Sequence, residues 1–369
     1  MVRDAVNASL PGADANVPNS VLRVMSDNQG ALCHLTLQYI DWLALQLLPD
    51  TAETEWLDRH ADIWLVNADG TMGRKMPTLA YGAASFQGLL DGTVIPTGTQ
   101  LQSSVGMPPG SDTPNAAIGY ETMEDITTSS SVPVIGNIRA LDAGSFGNLP
   151  PDTSLSFSDP IPGVATGASV AVLTGGTDIE TDDELRARVL FRIRQPPMGG
   201  DANDYVAWSL AIPGVTRAWC SPLEMGMGTV TVRFMMDHLR ADNNGFPLGE
   251  DIEQVRRYLD IQRPVAVKDF FVVAPIPEPI DFAITQLTPD LATTRAAIVE
   301  SVDAMIRRMA APAHAENGVA QAAQTIYAAW VSEAILAAPG VESFHLWMDD
   351  HLMPSPGHMA VLGSISYVV

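Results

Sequence analysis

Between Thr181 and Arg194 the run TDDELRARVLFRIR places Leu185, Val189 and Ile193 at helical spacing, which predicts an amphipathic helix. Thr181 followed three residues later by Glu184 is a capping box, in which each side chain accepts a hydrogen bond from a backbone N–H at the helix start. Asp182, Asp183 and Glu184 fill the first turn and Arg192 and Arg194 the last, matching the helix dipole. Asp182 with Arg186 and Glu184 with Arg188 stand four apart, acid before base. Pro196-Pro197 stops the helix, Gly199-Gly200 supplies a joint, and Asp201 sits where it can cap a second short helix reaching about Ala211. Val215 to Cys220 then reads as a strand.

Upstream, residues 1–18 read as a loosely ordered arm, and Asn19 or Ser20 can cap a long helix extending towards Leu48. That helix puts Leu32, Leu35, Tyr39 and Trp42 on one seam, yet Leu37, Ile40, Leu43 and Leu47 fall elsewhere around the axis. A helix apolar on most faces must be covered on most faces; its cover is either the chain's own next helix or another subunit. Asp50, with Glu53 at the box position, predicts that next helix through ETEWLDRHADIWLV.

From Leu79 to Gly175 the texture changes to short alternating runs broken by Gly, Pro, Thr and Ser, the pattern of β structure with tight turns. Beyond Cys220 come a strand (TVTVRFMMD), a helix (PLGEDIEQVRRYLDIQRP) and a strand (AVKDFFVVAPIP), which with the preceding helix and strand predict two helices on an antiparallel sheet in a split-βαβ arrangement. The remainder repeats this grammar, with DFAITQLT a strand, ATTRAAIVESVDAMIRRMA and VAQAAQTIYAAWVSEAILAAPG helices, and VESFHLWM and GHMAVLGSISYVV strands. The expected class is α+β and multidomain: an N-terminal helical segment (1–78), a β-rich domain (79–175), then two small split-βαβ-like α/β sandwich domains (176–277 and 278–369).

TGGTDIETDDELRARV, QPPMGGDANDYVAWSLAIPGV, the lead-in PDTAETEWLDRHADIWLV and the β-rich phrases GTVIPTGTQL, GYET and IRALDAGSFGNLPPDTSL together resemble the phage baseplate J-like family, wedge proteins of Mu- and P2-type contractile tails. The resemblance runs from about Leu48 to about Ile284, and the closing AVLGSISYVV is also similar. It departs at Val105–Gly119, where the family has a shorter link between two strands. The resemblance implies a structural role in a virion tail baseplate built in the host bacterial cytoplasm. It implies two copies per wedge, a ring of twelve, a smaller baseplate wedge protein, a sheath-initiating wedge protein and hub or sheath neighbours as partners. It also implies coupling of baseplate rearrangement to sheath contraction.

Composition narrows the alternatives. A net charge of −23 argues against sequence-independent nucleic-acid binding and anionic membranes, because both need basic surface. No apolar stretch approaches the roughly 18 residues of a membrane helix, and the first residues lack a signal-peptide pattern. Cys33 and Cys220 have no metal-like spacing, so free thiols in a reducing cytoplasm are expected. Residues 176–277 hold 11 of the 20 basic residues, which suits either carboxylates on protein neighbours or ordinary surface ion pairs. Arg186, Arg188, Arg192 and Arg194 are therefore candidate contacts alongside Leu35, Tyr39 and Trp42. Gly175-Gly176, Pro196 to Gly200 and Pro275 to Pro279 are candidate hinges.

Catalytic patterns are missing: no HExxH, GxSxG, phosphate loop or GxGxxG after a strand occurs, and neither enzyme activity nor a cofactor is expected. Gly226 to Gly228 reads as a hairpin turn. His345, Asp349, Asp350, His351 and His358 match no familiar ligand spacing and read as a polar hairpin rather than a metal site. Asp178, Glu180 and the acids of the helix start could form an acid–base pair for sugar cleavage, but the helix-start reading accounts for Asp182, Asp183 and Glu184, leaving Asp178 and Glu180 as loop anchors or partners of a neighbour's Arg. Trp208 and Trp219 read as core or interface aromatics. A tail-associated carbohydrate-binding or carbohydrate-degrading protein is the alternative reading.

Overall fold

A computed structural model describes residues 2–12, 14–103, 117–265, 267, 269–316 and 319–368. All but the last three residues of the Val105–Gly119 insert lie outside these. The chain forms two compact units, one of Met1–Leu65, Met72–Arg74 and Thr181–Arg194, the other of Val66–Thr71, Lys75–Glu180 and Gln195–Val369.

The first unit is helical. Val2–Ser9 is a helix (α1) where an irregular arm is expected, tied by Arg3 to Asp27 of α2 (Val21–Gln46). Ser20 caps α2, its hydroxyl accepting from the Arg23 N–H at 3.2 Å. The next helix, α3, spans Thr54–Trp64 and starts after Glu53, not at Asp50: residues 48–52 are used in a turn closed by Ala52 N–H donating to Leu48 O. Helix α4 (Asp182–Arg194) joins this unit, burying Leu185 and Val189 against Leu57, Ala61 and Leu65, whereas Ile193 stays exposed. The expected boundary at residue 176 had assigned α4 to the following domain; its apolar stripe finds a partner in α3 instead.

The second unit begins with a closed β-barrel. Its strands are β1 (Leu79–Gly88), β3 (Gln100–Ser103), β4 (Ile118–Thr122), β6 (Val134–Ala143), β7 (Ser154–Phe157) and β8 (Val164–Thr174), in the order β1-β6-β4-β3-β7-β8, with β2 (Val94–Ile95) and β5 (Ile126–Thr127) as a side pair. Closure removes the unpaired edges that an open sheet would leave. Alternate residues face inward, so Phe86, Leu101, Tyr120, Ile138, Leu155 and Val170 fill the interior. Tyr120 satisfies its hydroxyl by donating to Gly147 O at 3.2 Å, and burial pushes its ionisation up.

Helix α5 (Ala202–Leu210), β9 (Arg217–Pro222), β10 (Thr229–Met235), α6 (Gly249–Gln262) and β11 (Asp269–Val273) follow. The sheet order is β11-β10-β9, with β9 antiparallel to β10 but β11 parallel to it. An all-antiparallel sheet is thus corrected to a mixed one, because α6 carries the chain back across the sheet before β11 begins. Strand β12 runs Ile276–Thr288, so Pro277 to Pro279 pair with the last strand, β18 (His358–Val368), and are not a free hinge.

Helix α7 (Ala292–Met309) comes next, then the short β13 (Ala315–Glu316), β14 (Val319–Ala320) and β15 (Thr325–Ile326). Helix α8 covers only Ala328–Ala337, so the long helix expected from Val319 is cut to its second half. Strands β16 (Ser343–Trp347) and β17 (His351–Leu352) complete the set, and β16-β12-β18 form the last sheet. Its core takes in Met235 and Phe246 with Ile280, Ile298, Val302 and Met359, so one core crosses the expected boundary at residue 277.

Candidate assembly interface

Helix α2 carries the largest unmet apolar demand among the described residues. Only Ser26 and Gln46 of it are buried, while Leu32, Leu35 and Tyr39 are 58%, 61% and 60% exposed on one seam, and Leu37 and Ile40 are exposed on others. Leu35 is therefore mostly uncovered within its own unit. Tyr39 stacks on Trp42 with ring centroids 5.6 Å apart, and Trp42 is partly buried, its indole N–H donating to Glu53 Oε1 at 3.0 Å. Exposed apolar side chains gathered on one helix are the pattern that contact surfaces for other molecules carry.

The candidate arginines behave differently. Arg186 turns inward, donating to Pro49 O and Ala52 O, and pairs with Asp183 at 3.2 Å. Arg188 is buried and donates to Gly73 O. Both hold α4 to its own unit, which corrects their assignment as external contacts; Arg192 is half-buried and Arg194 exposed at the helix end. Asp182 accepts from Thr54 Oγ1 at 2.6 Å and Arg74 Nη2 at 2.6 Å, and these bonds hold its carboxyl below the usual range. In the second unit Arg217 pairs with Asp237, Arg233 with Glu224 and Arg240 with Asp251. Much of the arginine content is internal framework.

At the helix starts, Thr181 N–H donates to Glu184 Oε2 at 3.1 Å and Glu184 N–H to Thr181 Oγ1 at 3.4 Å. Asp201 stands at the N-cap of α5, but the carboxylate that gathers the loop is Asp204, which accepts from the N–H groups of Met198, Gly200 and Asp201. The signal for it was present, since an acid at the third helical position is the far half of a capping box. Among the candidate hinges, Gly175 has φ +91°, and Gly176 is locked: Asn148 both donates to its carbonyl and accepts from its N–H, and an added Cβ would lie 2.3 Å from Gly144 O. Gly199 has open space around it, whereas Gly200 lies against Pro264.

The carboxylates before α4 have structural partners. Asp178 accepts from Ser145 N–H and Oγ, and Glu180, buried, accepts from Lys75 N–H at 3.0 Å. Asp350 accepts from Ala328 N–H at the start of α8. Trp208 packs edge-on against Tyr205, and Trp219 stacks under Arg217. Among the described residues no three His, Cys, Asp or Glu side chains come together as metal ligands, and no helix is long and apolar enough to cross a membrane.

Comparison with known proteins gives this framework relatives. Residues 83–176 match the model of the baseplate J-like protein barrel domain, and residues 197–274 that of the baseplate J-like central domain. The chain is 32% identical over 297 residues to the Mu-like prophage FluMu protein gp47 of Haemophilus influenzae, covering 78% of each. It is 30% identical over 311 residues to the baseplate protein gp47 of Escherichia phage Mu, covering 81% of this chain and 80% of that one. The cryo-EM structure of the anti-feeding prophage baseplate aligns with 94% of this chain and 88% of its own at 13% identity and a TM-score of 0.46. With a barrel and a central domain that both match, and relatives aligned along most of its length, the chain belongs to the baseplate J-like protein family.

Proposed function

We propose that this protein is a structural subunit of a contractile phage-tail baseplate, without enzymatic activity. Two relatives support it: one is named a baseplate protein gp47, the other a Mu-like prophage protein gp47. In the finer reading, two copies join one copy of a smaller wedge protein, six such wedges close a ring of twelve copies around the hub, and a sheath-initiating wedge protein links the ring to the sheath. Baseplate rearrangement is then coupled to sheath contraction. The observation that carries the reading is the exposed apolar surface of α2, which a solitary chain would leave in water.

The test is deletion of residues 2–48. The truncated chain should keep the melting transition of its barrel and C-terminal sheets yet fail to enter purified tails, read by immunoblot. Normal incorporation of a folded truncation would refute α2 as the bundling element, and turnover of cell-wall or capsular glycan by the intact chain would refute the non-enzymatic reading.

A further inference from the structure

Strand β18 lies at the edge of its sheet, and its register with β12 identifies the main-chain groups left over. Ile276 N–H donates to Gly357 O at 2.9 Å, so the alternation of a parallel ladder turns Met359 and Val361 towards β12 and Ala360 and Leu362 away from it. Pro277 and Pro279, which have no N–H to give, fall on the β12 positions that face away from β18, as that alternation requires. Past the irregularity between Ile280 and Phe282 the outward positions of β18 are Ile365 and Tyr367. Among the described residues, the main-chain groups of Leu362, Ile365 and Tyr367 have no hydrogen-bond partner on that outer side. Exposed edges are ordinarily blunted by charge or proline; residues 361–368, VLGSISYV, have neither.

Helix α7 forms a shelf beside this edge. The groove between them, about 650 Å³, is lined by Met359, Ala360, Val361 and Leu362 in succession. Successive side chains of a strand point to opposite faces, so four in a row line one groove only through their main-chain edge. Ala360 is closed off at 1% exposure, and the edge becomes accessible from Leu362 onward. Across from it Ala296 and Val299 stand exposed on α7, above a buried apolar floor of Met235, Phe246 and Ile306. On the rim Arg217 and Arg307 already face Asp237 and Asp303, which leaves Glu300 without an ion-pair partner among the described residues.

An occupant must therefore bring a row of main-chain donors and acceptors, apolar side chains for the α7 side, and positive charge for Glu300. An extended polypeptide meets the first condition, and the net charge of −23 favours a basic partner over another copy of this acidic chain. We propose that an extended segment of a partner protein, with apolar residues at alternate positions and a Lys or Arg beside Glu300, adds to the edge of β18 as a further strand. This goes beyond the baseplate role and does not depend on it.

The experiment uses the full chain, purified and immobilised. Short random peptides are selected on the parent chain and counter-selected on Glu300→Lys, whose melting should match the parent because Glu300 is exposed. Survivors with alternating apolar residues and a Lys or Arg are expected; no survivors, or survivors without that pattern, overturn the proposal. One such peptide, followed by fluorescence anisotropy, should bind Glu300→Lys at least tenfold more weakly than the parent, and equal binding counts against the groove. In an added strand only every second amide faces β18, so N-methylation of one alternate set should weaken binding at least tenfold while the other set tolerates it. Equal effects of the two sets overturn strand addition. Bound peptide should also slow exchange of the Leu362, Ile365 and Tyr367 amides at least tenfold, and unchanged exchange there sinks the inference. Because all of this is read on the chain alone, its failure leaves the baseplate reading standing, whereas absence of the chain from tails sinks that reading and not this one.

Discussion

Arg233 of β10 and Glu224 of the β9–β10 turn form a two-pronged ion pair in which both guanidinium–carboxylate contacts measure 2.7 Å and the arginine side chain is only 5% exposed. The pair sets the shape of the turn. Glu224→Gln would leave a buried guanidinium without its counter-charge, a change that typically costs about 3–5 kcal/mol. Chemical denaturation of the second unit should report a loss of that order, with the β9–β10 turn becoming the first segment to exchange its amides.

Acid should reproduce part of this effect. The bonds from Arg233 hold Glu224 below the ordinary glutamate range; for Asp237, burial pushes upward but the bonds from Arg217 outweigh it and the net shift is downward. Carboxyls depressed in the folded state contribute stability that is complete above their unfolded values, near 4, and that is lost as pH falls through the folded ones. Melting temperature is thus expected to be flat from neutrality to about pH 5 and to fall below about pH 4. Glu224→Gln should show a shallower acid limb than the parent chain, and an equal slope would exclude this pair as a cause.

Gly82 in β1 is a packing requirement of the barrel. A Cβ there would stand 2.0 Å from Val172 O on β8, a backbone atom that cannot swing aside. Gly82→Ala should destabilise the barrel by about 1–3 kcal/mol. Gly92→Ala provides the comparison: its glycine has φ +77° but open space around it, so the strain is conformational alone and about 1 kcal/mol is expected. Thermal melts of both variants separate the two effects.

The two cysteines should differ in reactivity. Burial pushes the Cys220 thiol up to about 12, whereas Cys33 is exposed on α2. A maleimide at pH 7.5 should label one thiol per native chain and two after denaturation, with mass spectrometry placing the first on Cys33. If α2 is covered in the assembled tail, Cys33 in tails should label at least tenfold more slowly than in the free chain.

Local chemistry was legible where its partners are neighbours in the chain. The Thr181–Glu184 exchange spans three residues, and the Pro196-Pro197 stop, the Ser20 cap and the alternation of β3 and β4 are likewise written within a few positions. These signals mark the helix and strand character of those segments, whereas the α1 helix and the short strands between Val319 and Ile326 carry no comparable local mark. Asp201 alone accounts for an N-cap in the sequence, so nothing there called for Asp204, its reciprocal partner three residues further on.

What required the tertiary structure involves partners far apart in sequence. Helix α4 offers a stripe that any apolar surface could satisfy, and only packing selected α3, more than a hundred residues earlier, with Arg186 and Arg188 drawn inward as a consequence. The β-rich pattern was visible, but its closure depends on β1 pairing with both β6 and β8 at once. The apolar excess of α2 was plain in the amino acids, yet whether a neighbouring helix would absorb it was decided by the fold, which leaves it bare. Periodicity encodes that a face must be buried; it carries no address for the surface that buries it.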